Sequence, residues 1–172
     1  MLKLRGSWGR IGDDNVGGRW LYQDSWGYQN SNTYLGLIPT ATPYSYYRIT
    51  SLGNENISWE TVEKRNVGID YSFFKGLIAG SVDIFSDKRK DILVSGGSRS
   101  IPSFFGATAP TANLGSTKSH GYELELRLNY MFANKMRLWA NTNYTHAVNE
   151  VIFRDDPVLR DAHRKAAGHA IG

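Results

Sequence analysis

The sequence of 172 residues contains no cysteine, which excludes a disulfide framework, a thiolate metal site and a cysteine nucleophile. It also has no run of about 18 uncharged apolar residues, so no transmembrane helix is expected. Residues 1–8 lack the apolar core of a signal peptide. The formal net charge of +4 is small and scattered, so nucleic-acid binding is not expected. By contrast, aromatic residues reach 13% and glycine 18 residues, as suits strands joined by turns.

Five segments alternate apolar and polar residues with a period of two: residues 2–8, 62–73, 77–87, 119–130 and 136–148. Successive side chains of a strand point to opposite sides, so each segment is predicted to be a strand with one apolar and one polar face. Most segments approach the roughly 9–11 residues that a tilted strand needs to cross a bilayer. The fourth is the clearest, with Tyr122, Leu124, Leu126, Leu128 and Tyr130 on one face and Glu123, Glu125, Arg127 and Asn129 on the other.

The connections between these segments alternate in length. Residues 73–77 and 130–136 are short connections, whereas residues 8–62 and 87–119 are long, and this alternation is typical of outer-membrane barrels. We therefore predict an all-β fold, an antiparallel up-and-down meander that forms part of a transmembrane β-barrel, with long extracellular loops and short periplasmic turns. Aromatic residues at the strand ends would form its interfacial girdle: Trp8, Tyr71, Phe73, Phe74, Tyr130, Phe132 and Trp139.

A series of short motifs follows in order along nearly the whole chain. The sequence resembles the SusC/RagA-like branch of TonB-dependent outer-membrane transporters, and the order and spacing of these motifs carry the resemblance. The matching runs are residues 4–9 (LRGSWG), 11–15 (IGDDN), 21–24 (LYQD), 52–60 (LGNENISWE), 63–70 (EKRNVGID), 80–85 (GSVDIF), 88–93 (KRKDIL), 101–103 (IPS), 113–115 (NLG) and 118–126 (KSHGYELEL).

The resemblance implies a barrel of 22 strands with an N-terminal plug in a Gram-negative outer membrane. It further implies energy supply through TonB, a SusD-like surface lipoprotein as partner, and import of glycans, oligosaccharides or peptides. Residues 1–172 would then be a partial TonB-dependent receptor β-barrel domain, without the plug, the TonB box and the remaining strands. TonB would act through the missing N-terminal region, and membrane lipid would surround the barrel. Neither a cofactor nor an enzymatic activity is expected.

Two groups of residues are candidates for function. Glu123, Glu125 and Arg127 are expected to form a polar row that faces the lumen, because an alternating strand requires a polar side. A glycoside hydrolase, with Glu123 and Glu125 as acid and base, is a weaker alternative. Aromatic residues of two long loops could stack on a nutrient, contact a SusD-like partner, or pack a small core of their own. They are Trp20, Tyr22, Trp26, Tyr28, Tyr34, Tyr44, Tyr46 and Tyr47 in the first loop and Phe104 and Phe105 in the second.

A second class of function also fits the sequence, namely a soluble β-rich carbohydrate-binding or adhesion module. The face formed by Leu124, Leu126 and Leu128 discriminates between the two classes. A soluble module must bury this face against a second sheet, whereas a barrel leaves it in lipid. The four histidines lack the spacing of a zinc site, so no metal is expected.

Overall fold

The computed structural model describes residues 1–14, 17–33, 44–156 and 162–171. In these residues it contains strands and short 3-10 turns but no α-helix, and no helix has the length and apolar character needed to cross a membrane. The strands are β1 (Leu2–Asp13), β2 (Ser25–Thr33), β3 (Tyr44–Ser51), β4 (Glu60–Phe73), β5 (Ile78–Val94), β6 (Ala112–Met131) and β7 (Arg137–Phe153).

Five strands form one antiparallel sheet in the order β1-β4-β5-β6-β7. Each strand of this sheet pairs with the next one along the chain, apart from a separate β2–β3 hairpin inserted between β1 and β4. The predicted all-β, antiparallel, up-and-down arrangement is therefore confirmed. All five strands of the sheet were predicted from the sequence, whereas the β2–β3 hairpin inside the first long loop was not.

The strands run further than their alternation predicted, since β5 has 17 residues and β6 has 20. The additional length lies toward the long loops, where apolar and polar residues no longer alternate. At residues 88–90, for example, Lys88, Arg89 and Lys90 follow one another, so no apolar period marks the strand. The backbone ladder nevertheless continues, because its hydrogen bonds do not depend on side-chain polarity.

The register collects the apolar residues on one face of the sheet, because residues directly opposite each other in paired strands share a face. We call this the apolar face and the opposite one the polar face. One row across the apolar face consists of Leu4, Ile69, Val82, Leu124 and Tyr144, and the adjacent row of the polar face consists of Arg5, Gly68, Asp83, Glu123 and Thr145. Trp139 is paired with Asn129 and so lies on the polar face, outside the predicted girdle.

No second layer covers the apolar face in the described residues. Leu4 is 72% exposed and Ile84 62%, and the buried hydrophobic side chains are confined to Val94, Ala109 and Ala112, close to the loops. From Leu138 to Val148 this face extends for about 34 Å along the strand. With the tilt of about 35–45° found in transmembrane barrels, a strand of that length would span about 26 Å along the barrel axis, which is close to the ~25 Å height of their apolar band.

The two ends of the sheet, where turns and loops connect the strands, differ in the length of these connections. A 3-10 turn (Phe74–Gly76) joins β4 to β5, and Phe74, Lys75 and Gly76 adopt positive φ angles of 52°, 57° and 94°. The β6–β7 turn also contains a residue in the left-handed region, Lys135 with a φ of 66°. The side-chain oxygen of the preceding Asn134 accepts a hydrogen bond from the Met136 N–H. Because these tight turns lie at one end of the sheet, the long loops lie together at the opposite end.

Candidate functional site

An ion-pair cluster joins three strands on the polar face. Arg5 Nη2 on β1 lies 2.7 Å from Asp83 Oδ2 on β5 and 3.1 Å from Asp70 Oδ1 on β4. Gly68 lies between them, and a Cβ at this position would collide with the Asp83 carboxylate, so glycine makes room for the cluster. Asp83 is 9% exposed, and its Oδ1 has no hydrogen-bond partner among the described residues.

Further opposite charges pair on the same face toward the loops. Lys64 Nζ lies 3.6 Å from Asp87 Oδ2, and Arg89 Nη1 lies 3.5 Å from Glu60 Oε2. Charged side chains in this number are rare in a protein core but suit a hydrated surface. The polar face is therefore built to contact water.

The predicted row of Glu123, Glu125 and Arg127 occupies this polar face, where its residues alternate with the leucines of β6. Arg127 Nε lies 3.2 Å from Glu125 Oε1. Glu123 is paired across the strand with Asp83, which is already engaged by Arg5. Glu125 thus has a cationic partner, whereas Glu123 lies opposite another carboxylate.

A cleft of about 660 Å³ opens on the polar face near the long loops. It lies over the ends of β4, β5 and β6, and Ile171 of the C-terminal segment forms part of its wall. This segment is held against β7 by backbone hydrogen bonds, in which the Val151 N–H donates to His169 O at 2.9 Å. The polar groups that line the cleft include Lys64, Asp87, Arg89, Thr117, Ser119 and Arg154.

Most aromatic candidates of the first loop that the structure describes are exposed, whereas Tyr46 is half-buried. The rings of Trp20 and Tyr22 lie 5.9 Å apart in the turn that precedes β2, and Trp20 is 65% exposed. Trp26 and Tyr28 share one face of the hairpin. The ring centroids of Tyr28 and Tyr47 lie 5.2 Å apart on this face. Tyr34 lies outside the described residues. Partial packing between rings therefore leaves much of their surface open.

The second aromatic candidate pair lies in the β5–β6 loop, in a 3-10 turn (Ser103–Phe105). Phe104 is 90% exposed and Phe105 48%. This loop lies beside the hairpin, because residues 48–52 and 106–108 line a common cleft of about 430 Å³. The structure thus brings the two predicted aromatic groups to the same end of the sheet.

Two asparagines that were not predicted as functional candidates connect these loops by hydrogen bonds. Asn113 Nδ2 donates to Ser58 O at 2.8 Å and to Asp91 O at 2.6 Å, and its Oδ1 accepts from the Ser58 N–H at 2.9 Å. Asn54 Nδ2 donates to Thr111 O at 3.0 Å. Both lie in runs that carry the family resemblance, which was the signal available in the sequence.

A glycine fixes the base of the hairpin. A Cβ on Gly53 would come within 2.5–2.7 Å of the backbone of residues 22–23, and the Gly53 N–H donates to Asp24 Oδ1 at 2.7 Å. The chain before β2 and the chain after β3 can approach this closely only without a side chain. In the described residues, no three His, Asp or Glu side chains come together in a way that could hold a metal ion.

Comparison with known proteins decides the family. The model of the family described as "TonB dependent receptor-like, beta-barrel" matches residues 2–167. The chain belongs to this family. The resemblance drawn from the sequence is therefore confirmed, and so is a partial barrel as the fold.

Among curated relatives, this TonB-dependent receptor segment is 28% identical over 184 residues to "TonB-dependent receptor SusC" of Bacteroides thetaiotaomicron, covering 99% of the chain and 18% of that protein. It is also 28% identical over 155 residues to "TonB-dependent receptor P39" of Formosa agariphila, covering 88% of the chain and 13% of that protein. The segment thus spans less than a fifth of either relative. Both relatives are named as TonB-dependent receptors.

Solved structures with the same fold include the RagAB peptide transporter, with a TM-score of 0.65, 22% identity, and coverage of 89% of this chain and 16% of that one. The RagAB peptide importer in its "open-open" state gives a TM-score of 0.68 at 23% identity, covering 87% of this chain and 15% of that one. At these identities the likeness concerns the fold.

Proposed function

We propose that the chain forms part of the wall of a TonB-dependent outer-membrane transporter that imports nutrients, either glycans and oligosaccharides or peptides. One observation carries this proposal: a single-layered sheet has an uncovered apolar face and an ion-paired polar face. Residues 1–172 would supply five barrel strands, while the plug, the TonB box and the other strands lie outside this sequence. The name of the RagAB peptide transporter supports peptides as one substrate class.

In this arrangement the apolar face meets the acyl chains and the polar face lines the lumen. Arg5, Asp83 and Glu125 would keep the wall hydrated with paired charges, so that a polar nutrient can pass without meeting one dominant sign. TonB would act on the plug through the N-terminal region and would not contact these strands. The wall itself makes and breaks no covalent bond.

The loop end would receive the nutrient and its partner. We infer that the exposed aromatics Trp20, Trp26 and Phe104 contact a SusD-like surface lipoprotein or the nutrient that it delivers. Exposed aromatic surface suits both sugar stacking and protein interfaces. Replacing Trp20 and Trp26 by alanine in the full-length transporter should weaken partner binding and uptake. Trp139→Ala, near the opposite end of the sheet, is the matched control, and equal loss in that control would reject the inference.

The absence of cysteine allows a direct test of which face meets lipid. Leu124→Cys and Leu126→Cys would place a label on the apolar face, and Glu123→Cys and Glu125→Cys on the polar face of the same strand. Each variant is made in a full-length background freed of other cysteines, labelled with a fluorophore while unfolded, and folded into phosphatidylcholine vesicles that contain acyl-chain nitroxide lipids.

Labels at positions 124 and 126 should be quenched by the nitroxide, and those at positions 123 and 125 should stay bright and respond to a water-soluble quencher. A soluble carbohydrate-binding or adhesion module would remain outside the vesicles, with no lipid quenching at any of the four positions. That result would reject the barrel wall.

A further inference from the structure

We propose that the apolar face ends, toward the long loops, in a surface that binds the phosphate groups of membrane lipids in the outer leaflet. This inference rests on the proposed function, since it requires the apolar face to lie in a bilayer. We call the surface the basic belt, and it consists of Arg10, Arg65, Lys88, Lys90 and Lys118.

The strand register places the belt on one face. Arg10 on β1 is paired with Glu63 on β4, Glu63 with Lys88 on β5, and Lys88 with Lys118 on β6. Arg65 lies one row nearer the apolar residues and Lys90 one row further away. All five cationic side chains belong to exposed residues of this face. They therefore project sideways from the barrel wall, into the plane of the surrounding lipid.

The height of the belt matches the headgroup region. The row of Val148 precedes the row of Lys118 by two residues along the strands, and the exposed side chains of Ile152 and Phe153 follow beyond it. Two residues correspond to about 7 Å along a strand and, with the usual barrel tilt, about 5 Å across the membrane. Trp8, 70% exposed on the same face, lies at this border, where indole rings favour the interface. The cations thus lie just above the acyl chains.

The belt contains more positive charge than its own carboxylates balance. Glu63 and Glu150 are the carboxylates in the row of Lys88 and Lys118, and Glu63 is already engaged by Arg65 and by Trp8 Nε1. In the part of the chain that the structure describes, the other cations of the belt have no carboxylate oxygen within 4.0 Å. They are Arg10, Lys88, Lys90 and Lys118.

Lys88 and Lys118 lie directly opposite each other, an arrangement that destabilises a sheet when no anion stands between the two charges. A lipid phosphate at this height supplies such an anion. On the polar face at a similar level, by contrast, Lys64 and Arg89 each have a carboxylate partner. The unpaired cations are thus on the side that meets lipid.

The test compares lipid selectivity in two matched double variants of the full-length transporter. Lys88→Gln with Lys118→Gln removes two charges from the belt, and Lys3→Gln with Lys64→Gln removes two from the polar face. Each protein is reconstituted in vesicles of phosphatidylcholine and phosphatidylglycerol at four to one. Spin-labelled forms of each lipid then report the relative association of phosphatidylglycerol with the protein.

The parent protein should associate with phosphatidylglycerol more strongly than with phosphatidylcholine. Each lysine removed from the belt should lower this relative association about fivefold, whereas the polar-face variant should keep it unchanged. Equal association of both lipids with the inserted parent protein, or equal loss in the two variants, would overturn the inference. Displacement of the labelled lipid by millimolar inorganic phosphate alone would assign the belt to free anions and overturn it as well. A protein that fails to enter the vesicles rejects the barrel wall instead, and the belt with it.

Discussion

The depth of Leu124 in the apolar face allows a quantitative prediction for Leu124→Arg. Leu124 is paired with Tyr144, which lies six residues from Leu138 and four from Val148, the two ends of the apolar band. Position 124 is thus close to the middle of the band. An arginine on the lipid face of a barrel costs about 2–4 kcal/mol at the midplane and about 0–1 kcal/mol near the interface. We therefore expect Leu124→Arg to destabilise the barrel by about 2–4 kcal/mol.

Two matched variants isolate the effect of depth and face. His120→Arg lies four residues further along the same face, near the interface, and should cost about 0–1 kcal/mol. Asn143→Arg lies on the polar face one residue from Tyr144 and opposite Glu125, and should change stability by no more than about 0.5 kcal/mol. The same new charge is therefore placed at three sites with three different environments.

The assay is urea-dependent unfolding of the full-length protein in phosphatidylcholine vesicles, followed by tryptophan fluorescence and by the mobility shift of folded barrels on gels. Equal costs for Leu124→Arg and Asn143→Arg would mean that both faces meet water, which would refute the assignment of the apolar face to lipid. A cost that persists unchanged in lipid-free buffer would place position 124 inside a protein core.

Three further substitutions test the remaining contacts. Gly53→Ala should lower the stability by about 1–3 kcal/mol, because the new Cβ would lie 2.5 Å from backbone atoms, and should speed proteolysis of the hairpin. Gly97→Ala, where the new Cβ would meet open space, should have neither effect. Asn113→Ala should cost about 1–3 kcal/mol by leaving the Ser58 and Asp91 backbone groups unpaired, and should accelerate hydrogen exchange at the Ser58 amide. Arg5→Met should destabilise the sheet, because the Asp83 carboxylate, only 9% exposed, would lose its cation; combined with Asp83→Asn, the loss should be less than additive.

The faces of the sheet could be predicted from the sequence, because apolar side chains occupy a face toward an apolar medium and polar side chains occupy a face toward water. Where one face meets an apolar medium and the other water, a strand such as β6 alternates strictly, and the five alternating segments followed directly. Near the loops the period of two is lost, because residues 88–90 are all basic and residues 92–94 are all apolar, so the strand ends could not be located. The β2–β3 hairpin was missed because its alternation is brief: Trp26 and Tyr28 alternate with small or polar residues, but residues 29–33 are all polar and continue no period.

The contacts of the candidate site depend on register, which the sequence does not state. Arg5 and Asp83 are 78 residues apart in the chain, and only the pairing of β1 with β4 and of β4 with β5 brings them within 2.7 Å. Asn113 and Ser58 meet for the same reason, after the strands on either side of their loops have been paired. The composition of the polar face is therefore a local property of each strand, whereas its ion pairs are a property of the sheet.

The edges of the sheet connect its structure to its function. β1 pairs only with β4, and its other edge presents backbone N–H and C=O groups without a strand partner among the described residues. In lipid each such unpaired group costs several kcal/mol, so an open edge is incompatible with a sheet whose apolar face lies in a membrane. Further strands must therefore complete β1 and β7 before the apolar face can enter lipid. We accordingly expect insertion into the bilayer and closure of the barrel to be one cooperative event, to which these five strands contribute together with their neighbours.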